Sequence, residues 1–221
     1  IQLACLFHFQ FQMKKNLLVL IVGLMLSLNA CKVSSQSKKS PQQEKNIEQR
    51  VDSVLALMTL KEKVGQMVQY NGSWDVTGPA TGTTNEKKLE RLKKGLVGSM
   101  LNVVSVKNTR EAQRLIMENS RLKIPLIFGY DVIHGYQTMF PVPLGETASW
   151  DMDLAEKTAA AAARETAASG VHWTFAPMMD VSRDARWGRI MEGAGEDPFL
   201  NSKIAVARIN GFQGSDLASA K

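Results

Sequence analysis

Cysteine is scarce in this chain: Cys5 and Cys31 are the only two among 221 residues. No disulfide framework can form downstream of Cys31, and a domain of this kind does not need one. No metal-ligand spacing and no phosphate-cradling glycine loop occurs, so neither a metal nor an organic cofactor is expected. Long apolar runs are also missing, with one exception at Leu17 to Leu28, which falls short of the roughly 20 residues that span a bilayer. Excess charge is confined to the front. Of the net charge of +6, residues 1–31 carry +2, residues 32–50 carry +3 and the remainder, with 20 basic and 19 acidic side chains, only +1. A nearly neutral body offers no electrostatic footprint for nucleic acid.

Residues 1–12, IQLACLFHFQFQ, precede the first methionine and are read as an untranslated or misassigned leader, outside the fold. From Met13 the pattern is that of an export signal: Lys14 and Lys15 form the basic start, the apolar run follows, and Leu28-Asn29-Ala30-Cys31 closes it. The small residue before a cysteine resembles a lipoprotein signal spanning residues 13–31, with Cys31 lipidated; an ordinary signal peptide cut near the same point and a retained anchor are the alternatives. Lipidation would anchor the protein at a membrane surface, with its body in the periplasm or on the cell surface. Residues 32–46, rich in Ser, Gln and Lys, read as a solvated tether suited to anionic headgroups. Ordered structure is expected from Ile47 to the end of the sequence, residues 47–221.

Within that body, strand and helix patterns alternate. Ile47, Val51, Val54, Leu55 and Met58 repeat at helical spacing. Thr59-Leu60-Lys61-Glu62 is a capping box that opens a second helix, with Val64, Met67 and Val68 on one face. Tyr70 to Thr84 reads as a loop, Glu86 to Lys94 as a helix, Val97 to Val103 as a strand, Thr109 to Leu122 as a helix and Pro125 to Asp131 as a strand. An alanine-rich helix ends near Gly170, Val171 to Met179 reads as a buried strand, and a last helix runs from Pro198 to Gly214. Such alternation implies parallel strands joined by right-handed crossovers, an α/β fold.

The stretch from His172 to Pro198 carries the chemistry. After the apolar strand come five carboxylates (Asp180, Asp184, Glu192, Glu196, Asp197) and three arginines (Arg183, Arg186, Arg189), enough to neutralise one another in a rigid polar loop. From spacing alone this is either a ligand site or a well-braced corner. Loops after strand carboxyl ends are where such folds bind ligands. Asp131, where an earlier apolar strand ends, is the second candidate: a carboxylate only accepts, which suits a ligand presenting two neighbouring hydroxyls, although it could equally cap its loop. His134 reads as a local hydrogen-bonding residue, and Trp187 as either a stacking platform or a packing residue.

The run DVSRDARWGRIMEGAGEDPFL resembles the signature loop of family 3 glycoside hydrolases, and MTLKEKVGQM and GYDVIHG match two landmarks upstream. The resemblance implies the N-terminal part of a (β/α)₈ TIM-type barrel, incomplete at its C-terminus, since a full barrel takes about 250 residues. It implies hydrolysis of terminal non-reducing β-D-glucosyl residues by double displacement, with no cofactor and with an oligosaccharide or β-glucoside as partner. It assigns Asp131 and Arg189 to the sugar subsite, leaves Trp187 and His134 as possible contributors, and places the nucleophile and acid/base beyond Lys221, so the chain alone is expected to be inactive. β-Xylosidase activity, or saccharide binding without hydrolysis, are the alternatives.

Overall fold

The structure, a computed structural model, describes residues 41–72 and 85–214. The expected leader, the signal, Cys31 and residues 32–40 of the tether lie outside the described residues. Among the described residues no helix is long and apolar enough to cross a membrane.

The first helix, α1 (Pro41–Leu57), begins six residues before the expected Ile47. Its apolar repeat is present, but Val51 and Leu57 are exposed, at 46% and 63%. The capping box of α2 (Leu60–Gln66) forms as expected: the Glu62 N–H donates to Thr59 Oγ1 at 3.3 Å, and the Thr59 N–H donates to Glu62 Oε2 at 2.8 Å. The apolar face of this helix is not the one that packs inward. Val64 and Met67 are exposed, and the buried residues are Glu62 and Gly65. Gly65 sets this orientation, because a Cβ there would lie 2.6 Å from the Leu96 Cα; the helix packs through a bare patch of backbone and not through its branched side chains.

Four parallel strands follow in spatial order β1-β2-β3-β4: β1 (Gln69–Asn71), β2 (Ser99–Leu101), β3 (Ile127–Tyr130) and β4 (Trp173–Thr174). Between them lie α3 (Asn85–Lys93), α4 (Val106–Asn119), the short α5 (Pro143–Thr147) and α6 (Met152–Ala168); a 3₁₀ turn (Ile190–Glu192) and α7 (Pro198–Gln213) close the described chain. The register pairs Tyr70 with Met100 and Met100 with Phe128. These side chains share one sheet face and pack with Leu92, Val97, Val103, Ala112, Ile116 and Leu126 into the main core. The other face bears Ile127, Trp173 and Phe175, which remain 51%, 47% and 41% exposed.

Two expectations about strands need correction. The loop expected from Tyr70 contains the end of β1. The strand expected over Val171 to Met179 is a two-residue edge strand, with its aromatics exposed. It ends because the Ala176 N–H turns to Thr174 Oγ1, at 3.1 Å, and Pro177 has no N–H to offer a ladder. His172 fastens its start: its N–H donates to Phe128 O at 2.9 Å, and its Nδ1 accepts from the Phe128 N–H at 3.2 Å.

A second core joins α6 and α7 through Ala155, Ala194, Leu200, Ile204 and Ala207. Beside it lies an ion pair that the sequence reading missed. Arg208 Nη1 meets Glu146 Oε2 at 2.5 Å, with the two side chains only 4% and 2% exposed. Arg208 Nη2 donates to Ile133 O, and Thr158 Oγ1 to Glu146 Oε1. A second pair is set by the capping box: Arg121 donates to Glu62 Oε1 at 3.1 Å and Oε2 at 2.7 Å, and to Leu57 O at 2.8 Å.

Removing one partner of a buried pair strands the other charge, at about 3–5 kcal/mol. Arg208→Met alone is therefore expected to destabilise the chain by roughly that amount in denaturant unfolding, and adding Glu146→Leu should recover most of the loss; two additive losses would contradict the pairing. The Arg121 hydrogen bond, with those from Thr59, holds the Glu62 carboxyl down at about 2, against an ordinary value of 4.5. A depressed folded-state value contributes stability that is present above the unfolded value and lost as pH falls through the folded one. The gap in melting temperature between wild type and Glu62→Gln should thus be full above about pH 5 and shrink towards pH 2; a gap constant over that window would remove this role from Glu62.

Candidate functional site

Because the strands are parallel, their carboxyl ends share one rim. Asp131 follows β3 directly, and the segment after β4 returns over the same rim to bring Asp180 and Arg189 near it. Together with Gln69, Leu101 and Phe175, these side chains line an open cavity of about 810 Å³. Gly129 lets two of these lining side chains lie close against β3: a Cβ there would meet Phe175 Cε2 at 3.0 Å and Gln69 Nε2 at 3.8 Å. The two candidates named from sequence, Asp131 and Arg189, therefore face one space. His134 and Trp187 are not among its lining residues.

Arg189 is oriented by a forked contact with Glu192, Nε to Oε1 at 3.0 Å and Nη2 to Oε2 at 2.7 Å. Its Nη1 makes no hydrogen bond among the described residues and is available to a ligand. The Glu192 hydrogen bond and charge raise the guanidinium above its usual value, with smaller help from Asp131 and Asp180; the reciprocal contact lowers Glu192. Both groups stay charged across the physiological range. Arg186 braces only its own turn. It pairs with Asp184, two residues back, at 2.5 Å, with its side chain 89% exposed, and the Trp187 N–H donates to Asp184 O at 3.0 Å.

His134 locks the loop behind Asp131. Its Nδ1 lies 3.0 Å from Phe140 O, which can only accept, so the proton sits on Nδ1; its own carbonyl accepts from the Phe140 N–H at 2.7 Å. The loop after β4 is held from α7: buried Asn201 donates to Asp180 O at 3.1 Å and Met179 O at 3.3 Å, while Asp197 caps that helix through the Phe199 N–H at 2.8 Å. Of the five loop carboxylates, Asp184 and Glu192 hold arginines, Asp197 serves the helix, and Asp180 faces the cavity.

Gln69 and Asn201 were not foreseen. Gln69 lies on the unrecognised β1, and Asn201 carries no signal beyond its place four residues after Asp197 on the α7 face. Among the described residues no three His, Cys, Asp or Glu side chains are grouped so as to hold a metal ion.

Parallel strands with helices on one face and convergent polar groups at the carboxyl rim define a TIM-barrel-like α/β domain. The chain belongs to glycosyl hydrolase family 3, residues 59–221 matching the family's N terminal domain. It is 40% identical over 170 residues to a periplasmic beta-glucosidase of Salmonella typhimurium, covering 76% of this chain and 21% of that protein. A putative beta-xylosidase of Formosa agariphila is 33% identical over 216 residues, covering 92% of this chain and 29% of the relative. Among solved structures, the beta-glucosidase of Listeria innocua in complex with isofagomine superposes with a TM-score of 0.68 at 40% identity, over 75% of this chain and 23% of that one. The chain thus spans about a quarter of the length of these relatives.

Proposed function

We propose that the protein to which this chain belongs hydrolyses terminal non-reducing β-D-glucosyl residues of oligosaccharides or β-glucosides. One observation carries the reading: Asp131 and Arg189 line a single open cavity at the strand ends. The Asp131 carboxylate accepts from sugar hydroxyls, and the free arm of Arg189 donates to sugar oxygens, so the pair can grip one pyranose from both senses of hydrogen bonding. Family membership supports the retaining route, in which two further carboxyl groups about 5–5.5 Å apart serve as nucleophile and acid/base. No residue of this chain is assigned either role, and the chain alone is proposed to bind without cleaving. The name of the Salmonella relative supports export to the periplasm; lipidation at Cys31 is the anchor we propose.

The Formosa relative favours a second reading, a β-xylosidase. The two substrates differ by the hydroxymethyl group at C5, so paired aryl β-glucoside and aryl β-xyloside assays separate them. In the product of the longest reading frame containing this chain, Asp131→Asn should lower kcat/KM for the preferred glycoside by roughly 10- to 100-fold, the loss of a charge-assisted hydrogen bond. Undiminished hydrolysis by that variant would remove Asp131 from the sugar site. A wild-type product that binds saccharide without cleaving either glycoside would replace hydrolysis with binding alone.

A further inference from the structure

The loop from Asp131 to Phe140 is pinned from two helices that do not touch the cavity. From α6, Glu165 accepts from the Gln137 N–H at 2.8 Å, the Thr138 N–H at 2.8 Å and Thr138 Oγ1 at 2.7 Å. From α7, Arg208 donates one arm of its guanidinium to Ile133 O, two residues beyond Asp131, and the other to Glu146. Val132, between the cavity residue and this anchor, is fully buried, and its N–H donates to Thr174 Oγ1 at 3.4 Å.

The ion pair is a costly way to fill that space. Well-packed apolar side chains of similar volume commonly give equal or greater stability than a buried charge pair, and Arg208 Nε is itself buried without a hydrogen-bond partner among the described residues. What apolar packing cannot supply is a directed donor to the Ile133 carbonyl. A planar guanidinium locked on Glu146 delivers that donor in a fixed direction. We infer that Arg208, held by Glu146, is a positioning residue for Asp131, fixing the backbone that presents the carboxylate to the cavity. The inference rests on the proposed sugar-binding reading, and Glu165 is the loop's second anchor.

The test uses the product of the longest reading frame containing this chain, with wild type, the double variant Glu146→Leu/Arg208→Met, and Arg208→Lys, which keeps the charge but loses the fork. Melting temperature, amide exchange across residues 132–138, and kcat and KM for the better aryl glycoside are measured on each. The double variant is expected to melt near wild type yet to exchange those amides faster, with KM raised by about 10-fold and kcat changed less, the pattern of lost binding geometry. Arg208→Lys should move exchange and KM in the same direction, and it decides the matter if the double variant does not fold. Wild-type exchange and KM in a folded variant would overturn the inference. If the wild-type protein cleaves no glycoside, the hydrolase reading fails by itself, and exchange in the variants still tells whether Arg208 fixes the loop.

Discussion

A charge removed from water must be matched, and the Arg208–Glu146 pair is where this domain meets that constraint most severely. The pair lies between α5, α7 and the loop after β3, with Thr158 of α6 completing the shell around Glu146. Three helices and one loop therefore share a single set of directed bonds, and none can shift without unmatching a buried charge. Buried Ala155 and Ala159 of α6 and Gly211 of α7, which lies directly against Glu156 O and Ala159, let the two helices approach closely. Asn201, two turns earlier on α7, extends the same dependence to the second loop through the Asp180 and Met179 carbonyls. The loops that bring Asp131 and Asp180 to the cavity are thus both tied to one helix.

Local signals were legible and distant pairings were not. The Thr59–Glu62 box was readable because its hydrogen bonds join residues three apart, and the helices announced themselves through caps and period. Glu62 could not be read as the partner of Arg121, nor Glu146 as that of Arg208, because those residues lie 59 and 62 positions apart. β1 was missed for a chemical reason. Gln69 and Asn71 point to the face opposite the core, so the strand shows one apolar residue where pattern reading needs several. The opposite error occurred at β4, where Trp173 and Phe175 look like core aromatics yet lie on the uncovered face.

The site was half legible for a related reason. Asp131 and Arg189 stand in motifs that single them out in the sequence, and the fold sets both on the lining of one cavity. The division of labour inside the arginine-rich loop was not available from composition, since eight charges can pair in many ways. The fold resolves it by reach: Arg186 meets only its own turn, whereas Arg189, placed before the 3₁₀ turn, meets Glu192 and, among the described residues, keeps one arm without a hydrogen bond.

The charges that result constrain what the cavity can hold. Arg189 is already matched by Glu192, so Asp131 and Asp180 face the space with no hydrogen bond to either carboxylate among the described residues. The local balance is negative, and an anion brought between them would meet like charge. A neutral polyol meets the opposite situation. Each of its hydroxyls can donate to a carboxylate, and its ring or hydroxyl oxygens can accept from the one free guanidinium arm. Gln69, which packs over Gly129 beside Phe175, adds an amide to the cavity lining that can both donate and accept. The charge balance and the donor count are thus consistent with the neutral sugar proposed as ligand, and they do not draw on the family match.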